Sequence, residues 1–366
     1  WRPTLPIRQP AATLLYHSHV HGLTAEQVYS GLAGALVVTD EEEQGLGLPS
    51  EYGVDDLPLL IQDRQFDNGR LVLPTGMMVA MQGRRGDTIL VNGAPSPVAK
   101  VPGRLVRLRL VNASNARIYE LSFSDRRSFH WIGTEGGLLE RPVELQAITL
   151  APGQRAEVLV SFANGKPVAL VTGPDANLAA MGMMGGMGAS RGASAAGEAA
   201  LATVLQFEPL PASQTRSASS VPTLLASRTR PDATEAMQRR RLVLNMGMGG
   251  MMGSGGGGTG LTINGKPFNL ARIDETVKLG ATEIWEVSGD TMRHPFHIHG
   301  VHFDVLSRGG ARPEVLDQGP RDTVLIKEPV ELLIRFDQPA AKAPFMYHCH
   351  VLEHEDNGMM GQFVVA

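Results

Sequence analysis

The chain reads as an all-β protein built from tandem sandwiches, and three observations carry that reading. Short runs rich in β-branched residues recur along the 366 residues, as in RLVRLRLVN, RAEVLVSF, LATVLQFEP, RRLVLNMG, TEIWEV, TVLIK and ELLIRF. Gly, Pro, Asn and Asp separate these runs in the manner of sandwich and barrel strands. The length, with 43% hydrophobic residues, is enough to bury two or three cores.

Taken in order, residues 1–42 read as the C-terminal part of a first sandwich. A helix is predicted to start at Thr24, with Gln27 at the capping-box position, and the strand ALVVTD follows it. Acidic, glycine-bearing residues 43–53 read as a linker. Residues 54–210 form a second sandwich that has no His-x-His pair, so its expected role is structural. A Ser/Thr/Pro-rich connector covers 211–238, and a third sandwich occupies 239–366.

Composition narrows the function classes. A net charge of −4 offers no basic footprint for nucleic acid. No apolar run is long enough to span a membrane. A single cysteine excludes an internal disulfide and suits a thiol occupied by metal.

The chemistry is concentrated in two segments of the third sandwich. Pro344 to Met360 reads PFMYHCHVLEHEDNGMM, which places Cys349 between His348 and His350 and follows it with His354 and Met359. Arg293 to Phe303 reads RHPFHIHGVHF and adds His294, His297 and His299. A thiolate, two imidazoles and a weak axial thioether make a trigonal blue-copper site, which Cys349, His294, His354 and Met359 can furnish. In extended chain, residues two apart share a face, so His297 with His299, and His348 with His350, can grip neighbouring metals. His17 and His19 form a third pair with the same spacing. A lone Cys is more often a buried small hydrophobe or a nucleophile, and several histidines also suit a zinc hydrolase. Zinc, however, has no use for the His-Cys-His sandwich or the downstream Met.

These segments closely resemble the multicopper oxidases, in particular the bacterial three-domain copper-efflux and laccase-like cuprous oxidases, whose domains are cupredoxin-like β-sandwiches. The resemblance runs nearly end to end: YHSHVHG at 16–22, GLAGALVV at 31–38, IQDRQFDNG at 61–69, NGAPSPV at 92–98, RLRLVNASNAR at 107–117, HPFHIHG and HCHVLEHEDNGMM. It implies a four-copper enzyme that couples one-electron oxidation of Cu(I) and of phenolic or aromatic amine donors to reduction of dioxygen to water. The type 1 copper would take His294, Cys349, His354 and Met359, and the type 2 copper His297. One type 3 copper would take His19, His299 and His348, and the other His17 and His350. Glu355 matches an acid that the family uses as a proton relay, and Asp356 is expected to orient a ligand or the substrate copper.

Departures from the family are also expected to matter. A complete trinuclear cluster needs eight histidines, and these assignments provide six. The other two belong to an HxHG motif that the family carries upstream, so an N-terminal segment bearing it is expected beyond Trp1. Any secretion signal would lie there too, and a periplasmic or secreted location follows from the resemblance alone. His21 is expected to hydrogen-bond locally, His130 to line a strand, and His302 to pack beside its motif.

Two methionine–glycine tracts, MGMMGGMG at 181–188 and MGMGGMMGSGGGG at 246–258, read as flexible loops whose soft thioethers favour Cu(I). Cuprous oxidases hold a substrate copper with two Met and two Asp. Met246, Asp290 and Met292 match three of these, while Met251 stands where the second Asp would fall. Binding through Met would be weaker or wholly thioether-based, with the type 1 site more open to bulky phenols. Two other classes stay open: a copper nitrite reductase, and a non-catalytic copper carrier or inactive fragment.

Overall fold

The structure, a computed structural model, describes residues 7–178, 201–211, 220–247, 260–340 and 342–366. Nearly all regular elements are strands. The β-branched runs form them where expected: Leu105–Asn112, Arg155–Ser161, Ala202–Pro209, Gln238–Met246, Thr282–Gly289, Thr323–Ile326 and Val330–Arg335. Their apolar residues gather into two large cores, one containing Trp131, Phe123 and Phe207, the other Trp285, Phe296 and Phe363.

The first core lies between an eight-stranded sheet and a five-stranded one. The second lies between two five-stranded sheets. Parallel pairings, such as Asp56–Asp67 with Leu105–Asn112 and Gln238–Met246 with Thr282–Gly289, show that the chain crosses over within each sandwich rather than meandering. Residues Ala12–His17 and Ala33–Val38 make a separate two-stranded antiparallel sheet that pairs His17 with Ala33.

Ion pairs bind these parts together. A short helix, Glu41–Gly45, runs into the stretch expected to be a linker, and its Glu43 is buried against Arg107 and Arg109 of the middle sandwich. Burying a carboxylate is tolerable only when cations and donors surround it, so this segment is docked rather than free. Arg109 also grips Asp56 through two bonds of 2.7 and 2.8 Å and meets Glu157 at 2.9 Å. Thr13 of the two-stranded sheet donates to the same Glu157 at 2.6 Å.

The helix Thr24–Tyr29 begins where predicted, but no capping box forms. Gln27 accepts a hydrogen bond from Ser18 instead. The cap is tertiary: the Asp356 carboxylate takes the Thr24 and Ala25 amides at 3.1 and 2.8 Å. Asp356 therefore joins the His17/His19 loop to the His354 helix, Leu352–Asp356. In these contacts it touches neither a candidate ligand nor Asp290 or Met292, and it acts on the elements that carry His17, His19 and His354 rather than on a ligand ring.

Candidate metal centres

Strand alternation sorts the candidate ligands. Strands His294–Ile298 and Phe345–Cys349 lie side by side, with Phe296 opposite Cys349 and His297 opposite His348. Because successive side chains point to opposite faces, Cys349 and His294 fall on the core side, while His297, His299, His348 and His350 fall on the other. One pair of strands thus supplies two sites, and residues 348–350 belong to both.

On the core side, Cys349 Sγ lies 3.5 Å from Nδ1 of His294 and 3.5 Å from Nδ1 of His354. The opposite nitrogen of each ring meets a carbonyl oxygen: His294 Nε2 that of Asp290 at 3.0 Å, and His354 Nε2 that of Met81 at 2.9 Å. A carbonyl only accepts, so Nε2 carries the proton in both rings and the two Nδ1 lone pairs face the sulfur. The 3.5 Å spacings suit donors sharing one first-row metal ion, with metal–N about 2.0 Å and metal–S about 2.3 Å. His354 returns to Cys349 because the chain doubles back, the Met359 amide bonding to the His354 carbonyl and the Cys349 amide to the Met359 carbonyl. Met359 is fully buried in the same core.

On the other side, six imidazoles from three parts of the chain form one continuous cluster. Ring centroids are 4.3 Å apart for His17 and His19, 4.9 Å for His19 and His299, and 4.7 Å for His297 and His299. They are 5.3 Å apart for His17 and His350, and 5.4 Å for His297 and His348. His299 and His348 point their Nε2 atoms at each other, 3.1 Å apart. His19, His299 and His348 hold ligand atoms within 4.8 Å of one another.

Here the protonation pattern is reversed. Nδ1 of His17, His297 and His348 donates to the carbonyls of Ser18, Asp322 and Cys349 at 2.9, 3.0 and 3.0 Å, which leaves Nε2 to face inward. His350 Nδ1 is buried without a hydrogen-bond partner. Such an orphan is costly unless a metal or another donor completes it.

Electrostatics keep these rings ready to ligate. Burial lowers His17 and His354 to about 3 and His294 and His348 to about 4, and it holds His299 and His350 well below the ordinary imidazole range. A neutral imidazole is the form that binds metal. Burial also pushes the Cys349 thiol up, so a cation at the pocket is needed to hold it as thiolate. Glu355 sits beside the cluster, 3.4 Å from His19 Nδ1 and 3.2 Å from His348 Nδ1, with the Thr24 hydroxyl at 3.3 Å. Burial alone would raise its pKa, but the adjacent ring nitrogens of His348 and His19 bring it down to about 2.

Several groups around the sites were not evident from sequence. Asp322 faces His297 Nδ1 at 3.4 Å and is clamped by Arg155 of the middle sandwich at 2.8 and 2.7 Å. Arg155 also donates to the Thr13 carbonyl at 3.1 Å, on the strand that ends in His17. Gly153, at φ +82°, lets that sandwich approach the His350 ring, where any side chain would collide. The middle sandwich supplies no imidazole to the cluster but holds two of its rings in place.

One expectation changes. Both His294 and His354 are wholly buried, with their outward N–H groups capped by carbonyls, so among the described residues no ring edge is open to a bulky phenol. Of the expected substrate-copper set, Asp290 accepts from the Met246 amide at 2.8 Å, Met292 is half-buried nearby, and the Met246 side chain is in the core. Met251 and the 181–188 tract lie outside the described residues. His21 stands against the Phe268 ring at 5.2 Å, and His130 lies in the strand Phe129–Thr134. His302 lines a small cavity with Pro320 and Gly136. A cleft of about 790 Å³ opens between the two-stranded sheet and the middle sandwich, and none of the candidate ligands lines it.

Sandwiches of this kind, with a buried thiol and two imidazoles one residue away from a histidine cluster, define a cupredoxin-fold metalloprotein. The chain belongs to the multicopper oxidase family. Family models described as multicopper oxidase match residues 1–43, 62–170 and 234–366. Cell division protein FtsP of Xenorhabdus nematophila is 41% identical, over all of this chain and 72% of that protein. FtsP of Escherichia coli K12 is 39% identical, over all of this chain and 73% of its own length. Among solved structures, a bacterial laccase-like multi-copper oxidase CueO from Ochrobactrum sp. superimposes with a TM-score of 0.87. It is 37% identical and is matched over 100% of this chain and 79% of its own. The McoA multicopper oxidase of Aquifex aeolicus gives a TM-score of 0.82 at 34% identity, covering 99% of this chain and 77% of that one.

Proposed function

We propose that the chain is a copper-dependent oxidase that accepts single electrons from Cu(I) and from phenolic or aromatic amine donors and delivers them to dioxygen, which is reduced to water. His294, Cys349, His354 and Met359 would hold the electron-accepting type 1 copper. His297 would hold the type 2 copper, His19, His299 and His348 one type 3 copper, and His17 and His350 the other, for four coppers in a complete enzyme. Copper in the first set supplies a one-electron relay and in the second a place to reduce oxygen. The protein's own contribution is fixed geometry: neutral imidazoles of set tautomer, a dry thiol pocket, and a covalent path from Cys349 through both flanking histidines. Glu355, beside His19 and His348, would pass protons into the cluster. A periplasmic or secreted location suits this chemistry and the bacterial relatives.

The observation that carries this reading is the single residue Cys349, whose sulfur faces two Nδ1 atoms at 3.5 Å while its neighbours on both sides face the cluster. A zinc hydrolase has no need of that bridge. The name of the FtsP relatives favours a second reading, a cell-division protein that retains the fold without turnover. Copper loading separates the two. The oxidase should develop an intense blue thiolate band, a near-ultraviolet shoulder from a bridged copper pair, and oxygen uptake with phenols. Cys349→Ser should abolish both the blue band and the turnover. A copper-loaded protein without blue colour, or colour that survives Cys349→Ser, would overturn the assignment.

A further inference from the structure

We infer that the helix Met77–Gln82 of the middle sandwich is a thioether site for a soft monovalent cation, Cu(I) as donor, set at the outer end of the His354 hydrogen bond. The inference rests on reading the Cys349 pocket as the electron-accepting centre.

The helix has the sequence MMVAMQ and buries none of its residues. Met77 and Met78 are 61% and 65% exposed, and Met81 is half-buried against the core that holds Cys349. Met81 packs on that core, but Met77 and Met78 stand outside it, so core packing does not account for those two side chains. Residues 77, 78 and 81 are related by three and four positions, which brings their side chains together on one face. Three flexible, polarizable thioethers grouped in this way favour Cu(I) over harder ions.

The position of this face gives it a role. The Met81 carbonyl accepts from His354 Nε2 at 2.9 Å, and the other nitrogen of that ring lies 3.5 Å from Cys349 Sγ. An ion on the Met81 thioether is therefore one residue and one hydrogen bond from an imidazole that no donor can touch directly. The helix is seated firmly. Gly83, at φ +79°, ends it where a side chain would collide with Ala116 and Val351, and Arg84 reaches Glu353 at 3.5 Å, both on the His354 side. Arg85 is held by Asp175 at 2.6 Å. No carboxylate belongs to the helix, and the two guanidiniums behind it are already paired, so the site offers a dication no hard ligand. Each Cu(I) gives up one electron and leaves as Cu(II), which thioethers hold poorly. Four Cu(I), one dioxygen and four protons yield four Cu(II) and two waters.

The test uses copper-loaded protein and the variant Met77→Leu/Met78→Leu, which keeps volume and helix propensity and leaves Met81 and its contact with His354 in place. With Ag(I) as a redox-silent soft probe, equilibrium dialysis should find one more ion per chain on the wild type than on the variant. The variant's kcat/KM for Cu(I) should fall about tenfold or more, with oxidation of ferrocyanide and of phenols changing less than about twofold and the blue band unchanged. Equal Ag(I) counts, or equal loss on every donor, would overturn the inference. The single Met78→Leu variant, altered at the most exposed position, should show the same selective direction even if the double variant folds poorly. A wild type inert toward every donor would sink the oxidase reading, and the Ag(I) count would still decide the thioether site.

Discussion

At the residue scale, the His297 ring is held by the Asp322 carbonyl at 3.0 Å and the Thr323 hydroxyl at 2.9 Å, and the Asp322 carboxylate beside it, at 3.4 Å, is itself positioned from another sandwich. Asp322 meets His297 Nδ1, Thr323 donates to Asp322 at 2.7 Å, and Arg155 closes the set with two parallel bonds. A guanidinium fork matches a carboxylate in a way an ammonium does not, so Arg155→Lys is not a conservative change. Asp322→Asn and Arg155→Lys are each predicted to weaken copper at His297 by roughly 10–100-fold. Metal analysis and the paramagnetic resonance signal of non-blue copper are the measurements. The blue band, which depends on the opposite face of the same strands, should be unaffected. A normal copper count and signal in both variants would return this contact to a purely structural role.

At the scale of elements, the helix Thr24–Tyr29 depends on a cap supplied from more than three hundred residues away. Its own N-terminal residue, Leu23, offers no side-chain acceptor, and Asp356 takes two of the amides that a short helix leaves unpaired. Asp356 belongs to the helix that presents His354, so the cap also fixes the angle at which His17 and His19 approach the cluster. Asp356→Ala is predicted to cost about 1 kcal/mol, within the usual range for losing an N-cap. Thermal unfolding should register that loss. Hydrogen exchange should quicken at the amides of Thr24 and Ala25 well before it does in the Phe345–Cys349 strand. Protection unchanged at both amides would mean the capping bonds contribute nothing.

For the whole molecule, the buried cluster of Glu43, Asp56, Arg107, Arg109 and Glu157 ties the two-stranded sheet, the docked 41–45 helix and the middle sandwich together. Burial by itself would raise the Glu157 pKa, but Arg107 and Arg109 more than reverse this and hold it below the usual 4.5. A carboxylate whose folded pKa is depressed contributes stability that is fully present above the unfolded value and is lost as pH falls through the folded one. The advantage of wild type over Glu157→Gln should therefore be greatest near neutrality and shrink progressively below about pH 4.5. Melting temperature measured against pH decides this, and parallel curves for the two proteins would remove Glu157 from the acid response. At neutral pH, Glu157→Ala should cost about 1–3 kcal/mol, because Arg107 and the Thr13 hydroxyl lose a buried hydrogen-bond partner while Glu43 and Asp56 stay on the two guanidiniums.

The sequence by itself determined the β architecture and most of the candidate ligand residues, because both follow from short-range rules. Alternation with a period of two assigns His297 and His299 to one face, and His348 and His350 to the face opposite Cys349, before any partner strand is known. The β-branched runs likewise specify their own conformation. Only the tertiary structure decided what surrounds those ligands. The contacts of Asp322 with Arg155, Asp356 with Thr24, Glu43 with Arg107, and His354 with Met81 join residues far apart in the chain, and they exist only once sheets and helices have packed. One of these had a local trace: three methionines at helical spacing in GMMVAMQG, outside both glycine-rich tracts. The capping box at Thr24 failed for the same reason in reverse, since a distant carboxylate reached the orphan amides and Gln27 turned to Ser18 instead. Spacing along a strand is a covalent property, whereas the partner that meets a side chain across an interface depends on how whole sandwiches fit together.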